Sequence, residues 1–188
     1  KALVIARGTK AAVPPIPGLD TVSFWTNREA LKSTNVPPSL VVLGGGAIGR
    51  ELAQVFNRFG SKVPIIEAAP RLIALEEPEA GEILAQALAD DGISVIVGVG
   101  AKSVAKDPAN DGVNVTLADG AVISGDTLLV ATGRSSDLSA IDTGVLGIDP
   151  KAHRGLPTND YLELINDSGS IINGVYAVGD VAGKGGTA

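Results

Sequence analysis

The stretch from Ser39 to Glu67, SLVVLGGGAIGRELAQVFNRFGSKVPIIE, constrains the fold of this chain more than any other. Leu40 to Leu43 is a short apolar run ending in glycines, the pattern of a parallel strand buried on both faces. Gly44, Gly46 and Gly49 stand at G-x-G-x-x-G spacing. Ile48, Leu52, Val55, Phe56 and Phe59 then recur at helical spacing, so a helix opens within the glycine run and stops at Gly60. A second apolar run, Val63 to Ile66, closes on Glu67.

Each part of this unit has a physical task. Gly44 can take the tight turn out of the strand, Gly46 leaves room for a pyrophosphate at the backbone, and Gly49 lets helix and sheet pack closely. The helix N-terminus offers unpaired N–H groups and a partial positive charge to phosphates. Glu67 follows Gly49 by 18 residues, close to the ~20 at which an acid meets an adenosine ribose. A carboxylate there accepts from the ribose hydroxyls and repels a 2′-phosphate, which favours NAD over NADP. A glycine turn alone would say little. With a strand before it, a helix after it and an acid at the next strand end, it points to dinucleotide binding.

Composition sets the outer bounds. In 188 residues the hydrophobic fraction is 45% and the charged fraction 19%, which supports a folded core. The net charge of −6 argues against nucleic acid or a polybasic membrane patch as a partner. No apolar run approaches the ~20 residues of a membrane span, and no signal peptide is visible, so a cytoplasmic location is expected. Without cysteine, this chain offers no disulfide, thiol nucleophile or thiolate metal site. The chain has no methionine and begins at Lys1, directly before the apolar run Ala2 to Ala6. We therefore expect a fragment of a longer protein.

Taken in order, Ala2 to Ala6 reads as a buried strand ended by Gly8. The segment AAVPPIPG at 11–18 is neither helix nor central strand. Thr26 and Glu29 form a capping box ahead of a short helix over Asn27 to Lys32. Ser33 to Ser39 is a linker and the first domain boundary. After Glu67 a loop passes Pro70 and Arg71, and a helix from about Pro78 to Asp90 presents Ala80, Ile83, Leu84, Ala87 and Leu88 on one face. Pro78 suits its first turn, and Gly92 ends it. Ile93 to Val97 is the third strand. Val104 to Lys106, Val113 to Leu117 and Val122 to Ile123, separated by turn signals, make an antiparallel meander. Thr127 to Ala131 is a fourth buried strand, 135–160 is irregular, and 174–183 ends the chain's ordered pattern with a short strand and glycine turn.

Four blocks, LVIARGTKAAVPPIPG at 3–18, VVLGGGAIGRELA at 41–53, LLVATGR at 128–134 and VYAVGDVAG at 175–183, resemble in sequence and order the pyridine nucleotide–disulfide oxidoreductase family of flavoproteins, such as dihydrolipoamide dehydrogenase and mercuric reductase. The resemblance implies an α/β fold: a Rossmann-like parallel sheet with an antiparallel three-stranded meander, flanked by partial FAD-domain segments. It implies domains at 1–32 (partial FAD segment and linker), 33–134 (NAD(H) binding) and 135–188 (partial FAD segment). Gly44, Gly46 and Gly49 would hold the NAD pyrophosphate, with Gly45, Ala47 and Ile48 in the same loop. Glu67 would hold the adenosine ribose. Glu51 matches an acid toward the nicotinamide end, Thr132 and Gly133 the A-T-G turn beside the dinucleotide, and Ala101 a position near the adenine. Gly179 and Asp180 match the second flavin motif, whose acid binds the ribityl chain. Arg7 stands where the first A-T-G turn has Thr, Ser136 replaces the usual Pro after G-R, and Pro64 sits inside a strand. The first FAD glycine motif, the redox cysteine pair and the C-terminal dimer domain with its catalytic His and Glu have no counterpart in this chain.

The implied function is the NADH-binding domain of a flavoprotein that passes hydride from NADH to FAD and on to a disulfide or related small-molecule acceptor. The parent is expected to be a homodimer and the fragment alone inactive. An NADPH-dependent relative, a methyltransferase-like domain and a noncatalytic nucleotide-sensing module are the alternatives. Other chemistry-bearing residues have plainer readings. His153 is a loop histidine, and Glu76, Glu77 and Glu79 are a solvated cluster at a helix start. Phe24 and Trp25 are packing groups. Lys184 in GKGG lacks the spacing and hydroxyl of a phosphate-binding P-loop. No metal site is read.

Overall fold

The structure, a computed structural model, describes residues 1–138 and 141–183. In chain order its elements are β1 (Leu3–Ile5), β2 (Thr9–Ala11), α1 (Asn27–Lys32), β3 (Leu40–Leu43), α2 (Ala47–Arg58), β4 (Pro64–Glu67), α3 (Pro78–Asp90) and β5 (Ser94–Val97). There follow β6 (Ala101–Lys106), β7 (Val113–Leu117), β8 (Val122–Gly125), β9 (Thr127–Val130), β10 (Arg134–Ser136), β11 (Glu163–Ile165) and β12 (Ile171–Ala177). Single 3₁₀ turns cover Leu19–Thr21 and Gly179–Ala182. Lys184 lies outside the described residues.

The chain divides into two compact units, one from Ala11 to Gly133, the other from Lys1 to Lys10 with the chain from Arg134 onward. The larger unit is built on a parallel sheet of order β5-β4-β3-β9. All four residues of β3 are buried, because both faces of the sheet are covered. Leu40 and Val42 face α1 to α3, joining Ile65, Leu129, Leu52, Ala53, Phe56 and Leu88. Val41 and Leu43 alternate to the opposite face, where Ile66, Leu128 and Val130 meet Val104, Val113, Val115 and Leu117. Those last four belong to the antiparallel sheet β6-β7-β8. Pro64 causes no break: it is the first residue of β4, paired with Ser94, a position where the missing N–H is tolerated.

The boundary expected at 32/33 differs from that of the compact units, which falls after Lys10. The proline segment is held to the larger unit by its own hydrogen bonds and side chains. Val104 N–H donates to Pro17 O at 2.9 Å, and Trp25 both donates to Leu128 O (2.7 Å) and accepts from Val130 N–H (2.8 Å). Leu19 is buried under the meander, and the Trp25 and Phe56 rings lie 5.6 Å apart. Trp25 and Phe24 are packing groups here. The capping box on α1 is formed as the sequence predicts, with Thr26 N–H donating to the Glu29 carboxylate at 2.8 Å.

In the smaller unit β12 pairs parallel with β1 and antiparallel with β11. Ile5, Ile148, Leu156, Leu164, Ala177 and Val181 form its core. β2 and β10 make a two-stranded ribbon, and with β11 they are elements that the sequence pattern did not show. No helix among the described residues is long and apolar enough to cross a membrane.

Candidate functional site

In a parallel sheet the C-terminal ends of all strands lie along one edge. The chain leaves β3 toward β4 and β5 on one side, whereas β9 returns on the other side. The edge above β3 and β9 is therefore the point where strand order reverses, the place where open α/β sheets bind ligands. Gly44 to Gly49, Glu67 and Thr132 all follow or end strands at that edge.

The glycines are required by contacts that can be named. Gly44 has φ +102, and a Cβ there would collide with Ala131 O and come within 3.0 Å of Thr132 Cα. Its N–H donates to Ile66 O at 2.8 Å, tying the turn to β4. A Cβ on Gly49 would strike Gly44 O and stand 3.3 Å from Val42 Cγ1, so the first turn of α2 sits directly on the turn that leads into it. Gly46 differs: nothing lies within 4 Å of where its Cβ would be. It caps α2 without any side-chain hydrogen bond, so the leading N–H groups of the helix have no side-chain cap. That combination is a cradle for an anion. Arg50, on the following turn, has a buried Nη1 with no hydrogen-bond partner among the described residues.

Glu67 reaches into the same place. Its Oε2 accepts from Gly45 N–H at 2.7 Å and its Oε1 from Ala69 N–H at 2.8 Å. A carboxylate has about four acceptor positions, so two backbone bonds orient it and leave acceptor capacity on both oxygens. The sequence places Gly45 in the same loop, and the structure adds its neighbours: a Cβ there would strike Leu72 Cδ2 and crowd Glu67 Oε2 at 3.2 Å. The only signal was a glycine in the first variable place of the motif. The sequence shows Arg71 only as a loop residue, and nothing in a loop sequence shows that Leu72 is buried.

The remaining candidates fall as follows. Thr132 adjoins Gly44, and its hydroxyl donates to Ala12 O at 3.0 Å. Gly133 has φ +126, and its carbonyl accepts from Ala12 N–H. Glu51 is exposed on α2. Ala101 begins β6 and packs with the meander-side cluster. Gly179 (φ +76) and Asp180 belong to the smaller unit, where Asp180 Oδ2 accepts from the Thr9 hydroxyl at 3.0 Å. Arg134 in turn donates to Thr9 through Nε at 2.6 Å. Arg7, at the departure from the A-T-G pattern, pairs with Asp137 at 3.0 Å. Ser136 donates to Arg154 O. His153 lies in a loop and pairs with Asp167 at 2.8 Å. Glu76, Glu77 and Glu79 are exposed, and no group of three or more metal-ligating side chains occurs among the described residues.

The family model described as pyridine nucleotide-disulphide oxidoreductase matches residues 1–188. The chain belongs to this family. It is 32% identical over 182 residues to a mercuric reductase of Staphylococcus aureus, covering 96% of this chain and 32% of that protein. It is 36% identical over 191 residues to a dihydrolipoyl dehydrogenase of Acholeplasma laidlawii, covering 98% and 52%. Among solved structures, it superposes on the HOCl-induced flavoprotein disulfide reductase RclA of Escherichia coli with a TM-score of 0.79 at 29% identity, covering 97% of this chain and 40% of that one. This family chain thus spans between about a third and a half of the curated relatives named. Family membership removes the methyltransferase alternative.

Proposed function

We infer that this chain is the NADH-binding part of a flavoprotein oxidoreductase, and that residues 44–67 carry the cofactor. The observation that carries the reading is the joint geometry of Gly46 and Glu67. An open, uncapped helix N-terminus stands beside a carboxylate oriented by Gly45 N–H and Ala69 N–H. The first suits a pyrophosphate, the second a vicinal diol. The orphaned Arg50 Nη1 adds an unsatisfied cationic donor on the same helix.

The preference for NADH over NADPH follows from charge. A 2′-phosphate would meet the Glu67 carboxylate, and like charges at contact disfavour binding. Arg71 does not offset this, because its guanidinium donates to the carbonyls of Ile73, Ala74 and Glu76. Thr132, whose Cα lies beside Gly44, borders the loop.

In the whole protein a bound FAD would supply the redox chemistry between the nicotinamide and a disulfide or related acceptor. This chain's residues bind and orient. Asp180 fits the flavin-side role: its Oδ2 is fixed by Thr9, and Oδ1 makes no hydrogen bond among the described residues. The chain lacks a cysteine, so the 188 residues alone should not oxidise NADH faster than free flavin does. The parent is read as a homodimer supplied with NADH in the cytoplasm.

Calorimetric titration of the chain with NADH and with NADPH tests the reading. NADH should bind more tightly, and Glu67→Ala should remove most of the difference. Tighter NADPH binding, or no effect of Glu67→Ala, would contradict it.

A further inference from the structure

The chain between β4 and α3 is gathered around one guanidinium. Arg71 Nη1 donates to Ile73 O at 3.0 Å, and Nη2 donates to Ala74 O at 2.9 Å and Glu76 O at 2.7 Å. Three carbonyls converge on a planar fork, a geometry that lysine's point charge cannot reproduce. The loop held in this way is strained. Ile73 has φ 41, a left-handed conformation that β-branched residues rarely take. Such strain persists where surrounding contacts over-determine the backbone, and charge-assisted hydrogen bonds are the strong kind.

The same loop carries Leu72, which is buried in the helix-side core. Leu72 Cδ2 fills the space over Gly45 that a Cβ there would need. Gly81 in α3 has no side chain, and a Cβ there would stand 2.8 Å from Leu72 O and 3.7 Å from Arg71 Nη1. Helix, loop and glycine turn therefore close on Leu72 from three sides. Gly45 N–H, under that side chain, donates to Glu67 Oε2.

We propose that Arg71 is a positioning residue for adenosine recognition. By holding the carbonyls of Ile73, Ala74 and Glu76, it seats Leu72 on Gly45 and so locks the Gly45–Glu67 hydrogen bond that aims the carboxylate at the ribose. Its ligand-facing consequence rests on the NADH reading above. Arg71 also sets selectivity indirectly: the cation nearest in sequence to the acid is spent on the loop and is withheld from a 2′-phosphate.

Two measurements on the 188-residue chain test this. The first needs no ligand: amide hydrogen exchange of Gly45 and Ala69 in the wild type and in Arg71→Lys. Loss of one charge-assisted contact is worth on the order of tenfold, so both amides should exchange about that much faster while β3 and β9 keep their protection. The second is NADH titration of Arg71→Lys, Glu67→Ala and the double variant. Each single substitution should weaken NADH, and the double should be no weaker than Glu67→Ala, because Arg71 acts through Glu67.

Unchanged exchange at Gly45 and Ala69 overturns the proposal. So do additive losses in the double variant, or a loss of protection in Arg71→Lys that spreads evenly through β3 and β9, which would make Arg71 a general structural residue. A wild-type chain that binds no NADH overturns the cofactor reading instead, and the exchange arm still decides whether Arg71 holds Glu67.

Discussion

Three consecutive glycines serve three separate needs. Gly44 has a positive φ and lies close to Ala131, Gly45 lies close to Leu72 and Glu67, and Gly46 has open space where its Cβ would be. The expected consequences of alanine differ accordingly. Gly44→Ala combines a strained φ with a collision against backbone, and should cost about 2–4 kcal/mol of stability in chemical denaturation. Gly46→Ala meets nothing in the protein, so its stability should change by less than about 1 kcal/mol. Its NADH affinity should nonetheless fall, because the methyl occupies the phosphate's approach. A Gly46→Ala variant that is strongly destabilised would contradict this division. Spacing alone makes Gly44, Gly46 and Gly49 legible in the sequence. Gly45 enters only as a member of the same loop, because the side chains that crowd it come from residues 67 and 72.

Local chemistry decided which elements could be foreseen. α1 and α3 carry their own boundaries, a capping box in one and proline at the first position in the other, and both have the expected limits. Thr26→Ala should cost about 1 kcal/mol, read from the denaturation midpoint; no change would mean that tertiary contacts alone hold α1. The ribbon of β2 and β10 has no such signature, since Thr-Lys-Ala and Arg-Ser-Ser show neither alternation nor an apolar run. Its pairing comes from distant chain segments. The loop that brings Asp167 to His153 was equally hidden. The backbone N–H of Asp149, and then the His153 ring, hold the Asp167 carboxyl below the usual carboxylate range. A depressed folded value means that the stabilising contribution is present above about pH 4, the unfolded value. It is lost as pH falls through the folded value. Stability followed from pH 6 to pH 2 should therefore decline less steeply in Asp167→Asn than in the wild type; parallel curves would refute the linkage.

At the scale of the whole molecule, the sheet, its covering helices and the meander follow from apolar runs and turn signals. The boundary of the larger unit does not. AAVPPIPG has the composition of a linker, and only the Val104–Pro17 and Trp25–Leu128 hydrogen bonds reveal it as part of the packed unit. A chain of residues 33–133 should accordingly melt at lower temperature than one of residues 11–133, since it loses Leu19, Phe24 and the half-buried Trp25 from two cores. Truncating Trp25 alone should cost about 2–3 kcal/mol. Equal melting temperatures would contradict a stabilising role for residues 11–32. NADH should bind at the edge above β3, β4 and β9. The most direct measurement is a map of backbone amide shifts in the 188-residue chain as NADH is added. Perturbations should centre on residues 44–49, 67–69 and 132–133, with the largest at the N–H groups of Ala47 and Ile48 in the first turn of α2. Shifts confined to other residues, or none at saturating NADH, would contradict it.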